Sequence, residues 1–363
     1  MKKINRRNYW RMDRRDFLQR TTMGAVALSL PNVPNFLADH RMGIVVHSYW
    51  SRWNSKVESQ KYPGFTNAIQ LLDHCHQLGG GGVQVIVNGW TSDFAKKVRQ
   101  EREKLGLYLE GSIGLPKKAE DVPKFEQDVI NAREAGATIL RTVCSSGRRY
   151  ETYHSEQAFQ EMKKAALVSL QLVEPVLRKH KVKLGVENHK DFRAPELVSL
   201  IKQVNSEWIG VTLDFGNSMA LLEDPMEVVQ TLAPYTFSTH VKDMAVEEYS
   251  DGFLLSEVPM GKGILDLKKM VDLCKQHNPS GTFSLEMITR DPLKIPCLTD
   301  AYYETFATLP ASDLARMLHL VRQHNYPGGL PRVEQLSTDE KLALEEANIV
   351  ACLNYSKEKL GLT

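Results

Sequence analysis

The sequence predicts an α/β protein, a (β/α)8 TIM barrel carrying a C-terminal helical extension. Three observations carry that reading. From Met42 to Asn325, short apolar segments of strand character alternate with longer segments of helical period. The strand segments are continuous Val/Ile/Leu-rich runs, as expected of parallel strands buried on both faces. Four consecutive ones finish on a polar residue that solvent does not explain, namely Glu187, Asp214, His240 and Glu286.

The expected elements run in order. Met42–Tyr49 is the first strand, and Phe65–Leu78 is a helix with Phe65, Ala68, Ile69, Leu72 and Cys75 at helical spacing, closed by glycines. Gly82–Asn88 is the second strand, Asp93–Leu105 a helix and Leu107–Ile113 the third strand. Val122–Ala135 presents Phe125, Val129 and Ala132 on one face and leads to Thr138–Cys144, then to a long helix over Ser155–His180. Strands Lys183–His189, Ile209–Asn217, Phe237–Asp243 and Thr282–Ile288 follow, separated by helices at Pro195–Asn205, from Asp224, and at Asp266–His277. Asp224-Pro225-Met226-Glu227 places an acid at the N-cap, proline at the first helical position and glutamate to close the box. The span is roughly 250 residues, the usual size of such a barrel, whose active sites lie at the carboxyl ends of the strands. A doubly wound sheet is disfavoured, because no G-x-G-x-x-G follows the first strand. Gly79–Gly82 precedes a strand and reads as a turn, not a phosphate loop.

Beyond the last strand, the polar and aromatic loop Arg290–Pro310 emerges on the active-site face, and Ser312–Asn325 supplies the eighth helix. Ser337–Leu360 is a further helix opened by a capping box, packed on the barrel or on a second subunit. The expected organisation is a leader over 1–40, the barrel over 41–325 and the extension over 326–363. Within the leader, Asp13-Arg14-Arg15-Asp16-Phe17-Leu18, the apolar patch Met23–Leu30 and Ala38 resemble a twin-arginine export signal, which implies a periplasmic or exported protein. The patch is far shorter than the roughly 20 residues that span a bilayer, so stable membrane insertion is not expected.

The 363 residues are 42% hydrophobic and 25% charged, an ordinary globular composition, and the formal net charge of +2 gives no case for nucleic acid. Cys75, Cys144, Cys274, Cys297 and Cys352 are scattered without a C-x-x-C pair and read as core or free thiols.

In a closed barrel the four polar strand ends converge on one mouth. Three carboxylates brought together unpaired would repel, so a single divalent cation held by Glu187, Asp214, His240 and Glu286 resolves the cluster. One imidazole with three carboxylates is oxygen-rich and suits Mn, Mg or Co, with Zn also acceptable. Residues two apart on a strand share a face, which brings His189 with Glu187 and Lys242 with His240 into the mouth. His47 at the end of the first strand, Trp90 and Glu110 ending the second and third, and Arg290 after Glu286 are candidate substrate contacts.

The segments Val-Glu-Asn-His (186–189), Leu-Asp-Phe-Gly-Asn (213–217), His-Val-Lys-Asp (240–243) and Leu-Glu-Met (285–287) resemble the xylose-isomerase-like barrels of sugar isomerases and epimerases. The resemblance implies one divalent metal on Glu187, Asp214, His240 and Glu286, with Glu187 and Glu286 also serving as acid and base on opposite sides of a small carbohydrate. Many epimerases of that group carry a histidine where Asn217 stands, and Asn217 is therefore a candidate substrate contact that departs from the pattern. A metal chelated by a carbonyl oxygen and its neighbouring hydroxyl stabilises the enediolate formed on deprotonation. Protonating the neighbouring carbon gives isomerisation, protonating the other face gives epimerisation, and a leaving group β to the carbonyl turns the same carbanion into that of a 3-keto-glycoside lyase or hydratase. A trinuclear zinc nuclease of the same superfamily is disfavoured by the balanced charge and the lack of histidine on the second and third strand ends. A non-catalytic metal-dependent sugar-binding protein, and a homo-oligomer, remain compatible with the residues.

Overall fold

The apolar runs become strands where expected, and their pairing closes a ring. The computed structural model describes residues 41–53 and 56–362. The export-signal segment expected over 1–40 lies outside them. Strands β1 (Gly43–Val45), β2 (Gly82–Ile86), β3 (Tyr108–Ser112), β4 (Ile139–Thr142), β5 (Lys183–Glu187), β6 (Ile209–Asp214) and β7 (Thr236–Val241) pair in parallel in chain order. A hairpin, β8 (Asp243–Tyr249) and β9 (Gly252–Val258), interrupts the alternation before β10 (Thr282–Leu285) inserts between β7 and β1. The closed order is β1-β10-β7-β6-β5-β4-β3-β2. A short strand, β11 (Leu293–Ile295), adds to β9 and makes a separate antiparallel sheet from the hairpin.

The helices are α1 (Ala68–Gln77), α2 (Ser92–Leu105), α3 (Val122–Glu134), α4 (Arg149–Thr152), α5 (Glu156–His180), α6 (Ala194–Val204), α7 (Pro225–Leu232), α8 (Leu267–His277), α9 (Asp300–Tyr303), α10 (Ala311–Gln323) and α11 (Thr338–Lys359). Their starts are chemically marked. Asp224 Oδ1 accepts the Met226 and Glu227 N–H groups at 2.9 and 3.0 Å, and Ser337 and Glu340 form the expected capping box on α11. The five cysteines are free, four of them buried.

Three departures from the sequence expectation shape the mouth. β1 ends at Val45 and continues as a 3-10 turn over Val46–Tyr49, so His47 leaves the barrel on a turn and not on a strand. The stretch between Asp243 and α8 folds as the β8–β9 hairpin, and the loop 290–310 contains β11 and α9 and buries Tyr302, whose hydroxyl donates to the Ala220 carbonyl at 2.8 Å. The third concerns the eighth helix. Met317 and Val321 of α10, expected in that position, pack with Val246 and Phe253 of the hairpin. It is α11 that lies against β10 and the turn after β1, placing Ile349, Cys352 and Leu353 in the barrel core. No helix among the described residues is long and apolar enough to cross a membrane.

The docking of α11 buries charge. Glu346 accepts from Arg52 Nη1 at 2.7 Å and pairs with His74 Nε2 at 3.0 Å. Glu345 is fully buried; its Oε2 accepts the Ser51 N–H at 2.9 Å, while its Oε1 has no partner among the described residues. Burial pushes the Glu345 carboxyl up to about 7, against the opposing pull of the Ser51 hydrogen bond and Arg52. An unfolded glutamate titrates near ~4.3, so between that value and about 7 the folded chain holds a proton the unfolded chain has lost. The Glu345 contribution to stability is full below the lower value and is lost as pH rises through the upper one. Urea midpoints measured at pH 5 and pH 8 should show Glu345→Gln losing less stability over this interval than the wild type; equal losses would refute the assignment.

Candidate functional site

Four strand ends bring the polar cluster together. Glu187 and Asp214 are the last residues of β5 and β6, His240 is the penultimate residue of β7, and Glu286 directly follows β10. Register places Asp214 beside His240 and Ser284 beside His240. One donor atom from each of Glu187, Asp214, His240 and Glu286 lies within 4.8 Å of every other, and all four side chains are buried.

Neighbouring side chains aim each donor. Asn188 extends the β5–β6 pairing by one step, its Oδ1 accepting the Asp214 N–H at 2.7 Å and its Nδ2 donating to the Asp214 carbonyl at 2.8 Å. Asp214 Oδ1 accepts the N–H groups of Gly216 and Asn217 at 2.9 and 2.8 Å, which turns Oδ2 towards the cluster. Asp214 Oδ2 there forms an ion pair with Lys242 Nζ at 2.7 Å whose angles fall outside hydrogen-bond geometry. Glu187 takes Asn217 Nδ2 on Oε1 at 3.0 Å and Arg141 on Oε2. Glu286 takes Lys242 Nζ on Oε2 at 2.5 Å and faces His47 Nδ1 with Oε1 at 3.2 Å. Ser48 Oγ, donating to the Leu285 carbonyl at 2.9 Å and accepting the Met287 N–H at 3.1 Å, pins the end of β10 to the His47 turn.

His240 is oriented from below. Its Nε2 lies 2.8 Å from Gln84 Oε1, an acceptor, so the proton sits on Nε2. Gln84 Nε2 in turn donates to Glu110 at 2.8 Å, and Glu110 also accepts from Thr282 Oγ1. The Nδ1 lone pair therefore points up, with Glu187 Oε2 and Glu286 Oε1 each at 3.6 Å, Asp214 Oδ2 at 3.9 Å and no hydrogen-bond partner among the described residues. An unpaired ring nitrogen at full burial, surrounded by carboxylate oxygens beyond hydrogen-bond reach, is the arrangement of a metal-binding donor set. The four residues fit one divalent ion, and the Gln84–Glu110 relay supplies the outer support that fixes a ligating imidazole.

Burial alone would raise both glutamates. At Glu187 the Arg141 guanidinium outweighs it, and at Glu286 the Lys242 ammonium does, so both sit below the usual range and are ionised at neutral pH. Asp214 goes the other way, burial raising it against Lys242. Burial, and then the neighbouring Lys190, pull the His189 imidazole down to about 3 and keep it neutral.

Above the cluster opens a cavity of about 590 Å³. His47, His189, Asn217, Lys242 and Arg290 line it together with Glu187 and Glu286, as the sequence places them. Two expected contacts stand elsewhere. Glu110 lies on β3 inside the barrel and touches Gln84 and Thr282, because its strand continues past it to Ser112. Trp90 follows β2 in a loop, packs edge-on against Phe94 at 5.3 Å and is outside the cavity lining. Lys242 pairs with Asp214 and Glu286, while Asp243 accepts the N–H groups of Met244, Gly261, Gly263 and Leu265 to fold the hairpin base. Sequence reading missed Arg141, Gln84 and Lys190. Arg141 and Gln84 had a signal, since a charge or amide inside an apolar strand must find a buried partner.

Comparison with known proteins agrees with this geometry. The chain is 26% identical over 232 residues to the 3-oxo-isoapionate decarboxylase of Pectobacterium atrosepticum, a match spanning 62% of this chain and 78% of that protein. The fold is similar to that of D-psicose 3-epimerase crystallised in the presence of D-fructose, with 16% identity and a TM-score of 0.57 over 88% of this chain and 99% of that one. It is also similar to the 3-keto-D-glucoside 4-epimerase of E. coli, with 12% identity and a TM-score of 0.51 over 78% and 99%. These relatives and structural neighbours are sugar epimerases and related enzymes. Residues 104–309 match the family described as xylose isomerase-like TIM barrel, and with the closed parallel ring and its four converging donors the chain belongs to that family.

Proposed function

We propose that the protein is a divalent-metal-dependent carbohydrate isomerase or epimerase that moves a proton at the carbon beside a carbonyl. The observation that carries this reading is the pair of buried, ionised carboxylates, Glu187 and Glu286, held on β5 and β10, three steps apart in the ring of strands. When bound, the divalent ion polarises the substrate carbonyl and lowers the cost of the enolate that deprotonation creates. Mn, Mg or Co suits the oxygen-rich donors best, and Zn is a further option.

The chain's own groups do the rest. One of the two carboxylates accepts the C–H proton and, now an acid, returns it to the neighbouring carbon, while return to the opposite face requires the other glutamate to have taken a proton from solvent first. Neutral His189 has a buried Nδ1 with no partner among the described residues and offers a hydrogen bond to a sugar hydroxyl. Lys242, its charge secured by Asp214 and Glu286 against the effect of burial, stands where negative charge develops on the substrate oxygen. Trp50, 65% exposed at the rim and edge-on to His47 at 5.9 Å, offers a face for a sugar ring. The resemblance of the Asp13–Leu18 run and the apolar patch Met23–Leu30 to an export signal supports the proposal that the enzyme acts outside the cytoplasm.

A second reading is favoured by the Pectobacterium relative. A 3-oxo acid that loses CO2 also yields an enolate, and one of the same glutamates, having taken a proton from solvent, can protonate it. Elimination from a 3-keto-glycoside starts from the proton abstraction already described.

Incubating the metal-loaded protein with ketoses in deuterated water tests the proposal: solvent deuterium should enter at the carbon beside the carbonyl. Glu187→Gln and Glu286→Gln should each lower the exchange rate by at least ~10²-fold, and a wild-type rate in either variant would sink the assigned roles. Gln84→Leu leaves His240 without its orienting acceptor and should weaken Mn2+ affinity by about 10–100-fold, measured by calorimetry; unchanged affinity would remove His240 from the ligand set.

A further inference from the structure

Charges around the cavity balance in pairs, with one exception. Arg141 pairs with Glu187, Lys242 with Glu286, Arg148 with Glu151 at 2.5 Å and Arg290 with Glu257 at 2.6 Å. Lys190 has no carboxylate within 4.0 Å of its Nζ among the described residues. Its hydrogen-bond acceptor is the neutral side-chain oxygen of Asn217. Yet the residue is only 4% exposed, and it lines the cavity. A buried ammonium without a counter-charge is costly, and burial pulls Lys190 down to about 8, a cost that an anion supplied by a ligand would offset.

The loop that carries Lys190 is fastened on both sides. The Lys190 carbonyl accepts the Arg149 N–H at 2.7 Å, and the neighbouring Asp191 carboxylate accepts the N–H groups of Ser145 and Phe192 at 3.1 and 2.8 Å. The amine is thus held against the cavity wall and cannot be explained as a surface lysine folded inwards. Through Asn217, whose Nδ2 donates to Glu187 Oε1 at 3.0 Å, it stands one side chain away from the four-donor cluster. Lys190 and Arg148 line the same cavity as Glu187 and Glu286.

We propose that the substrate is a sugar acid whose carboxylate, at the end of the molecule remote from the reacting carbonyl, is bound by Lys190 with Arg148 at the rim. The proposal rests on the reaction described above and names its substrate class. A single unpaired ammonium matches one negative charge, which favours a carboxylate over a phosphate; the Arg290 guanidinium is already engaged by Glu257, and Arg148 adds a weaker contact that it shares with the exposed Glu151.

D-fructose, D-fructuronate and D-fructose 6-phosphate share the C2 carbonyl and differ only at C6, which makes them suitable probes. Calorimetric titration of the Mn2+-loaded full chain should show D-fructuronate binding at least about tenfold more tightly than D-fructose, as a charge-assisted contact requires. D-fructose 6-phosphate should bind no more tightly than the acid. Lys190→Met should bring the acid to the level of the neutral sugar while Mn2+ affinity stays as in the wild type, and Arg148→Ala, at a partly exposed position, should reduce the acid preference by a smaller factor. Should Lys190→Met fail to fold, the Arg148 variant and the weakening of the acid preference with added salt carry the test. An acid that binds no better than fructose, absence of binding by both, a preference for the phosphate, or an acid preference that survives Lys190→Met overturns the proposal. Deuterium exchange into neutral sugars without an acid preference would overturn Lys190's role and leave the reaction standing. Acid preference without exchange would do the reverse.

Discussion

Three carboxylates and an imidazole share one buried space at the mouth of the barrel, and their mutual repulsion is the constraint from which the surrounding structure follows. At separations under 4.8 Å, like charges shielded from water interact far more strongly than on a surface. Each member is therefore held at one atom and presented at another: Asp214 by two backbone N–H groups on Oδ1, His240 by Gln84 on Nε2, Glu187 by Arg141 and Asn217, Glu286 by Lys242 and His47. Two fixed cations soften the repulsion without removing it. The inward-pointing lone pair of His240 Nδ1 meets no proton donor among the described residues, and a divalent cation would satisfy it together with the oxygens around it.

The barrel supplies this constraint through its strand ends, and the hairpin that breaks the βα alternation secures one of them. In the run His240–Asp243 the first and third residues face the mouth, while Asp243 turns away and gathers the N–H groups of Met244, Gly261, Gly263 and Leu265. Gly263 has to be a glycine, since a Cβ there would stand 2.2 Å from Asp243 Oδ1. The acid thus locks the base of the hairpin, and the hairpin returns Glu257 to pair with Arg290 beside the cavity. A single four-residue segment thereby contributes a candidate metal donor and a cation and anchors the wall that carries Arg290.

Much of this was legible in the residues, for identifiable reasons. Buried parallel strands are written as apolar runs, so the eight barrel strands and the four polar tips that end them or lie just beyond could be read directly, along with the capped helices. What failed was tertiary placement. Helical period marks both α10 and α11 but not which of them covers β10, a choice made by the long-range packing of Ile349, Cys352 and Leu353. Glu110 and Trp90 were misplaced by a residue or two of strand length, enough to exchange cavity for interior or loop. Lys190 carries no local signal, because what distinguishes it is the carboxylate it lacks, and only the folded arrangement exposes that.

The position of α11 ties the mouth to the far end of the chain. The turn bearing His47 and Trp50 is gripped on one side by Ser48, bonded to the Leu285 carbonyl, and on the other by the Ser51 N–H donated to Glu345 of α11. Asn348, one turn further along the helix, donates to Thr289 just beyond Glu286 at 2.9 Å. The last helix therefore holds both segments that flank the β1–β10 seam, the seam on which Glu286 and its partner His47 meet. Closure of the ring and alignment of that acid with its neighbours are accomplished by the same contacts, so a disturbance of the α11 interface is transmitted to the reacting side of the barrel without any residue of the helix entering the cavity.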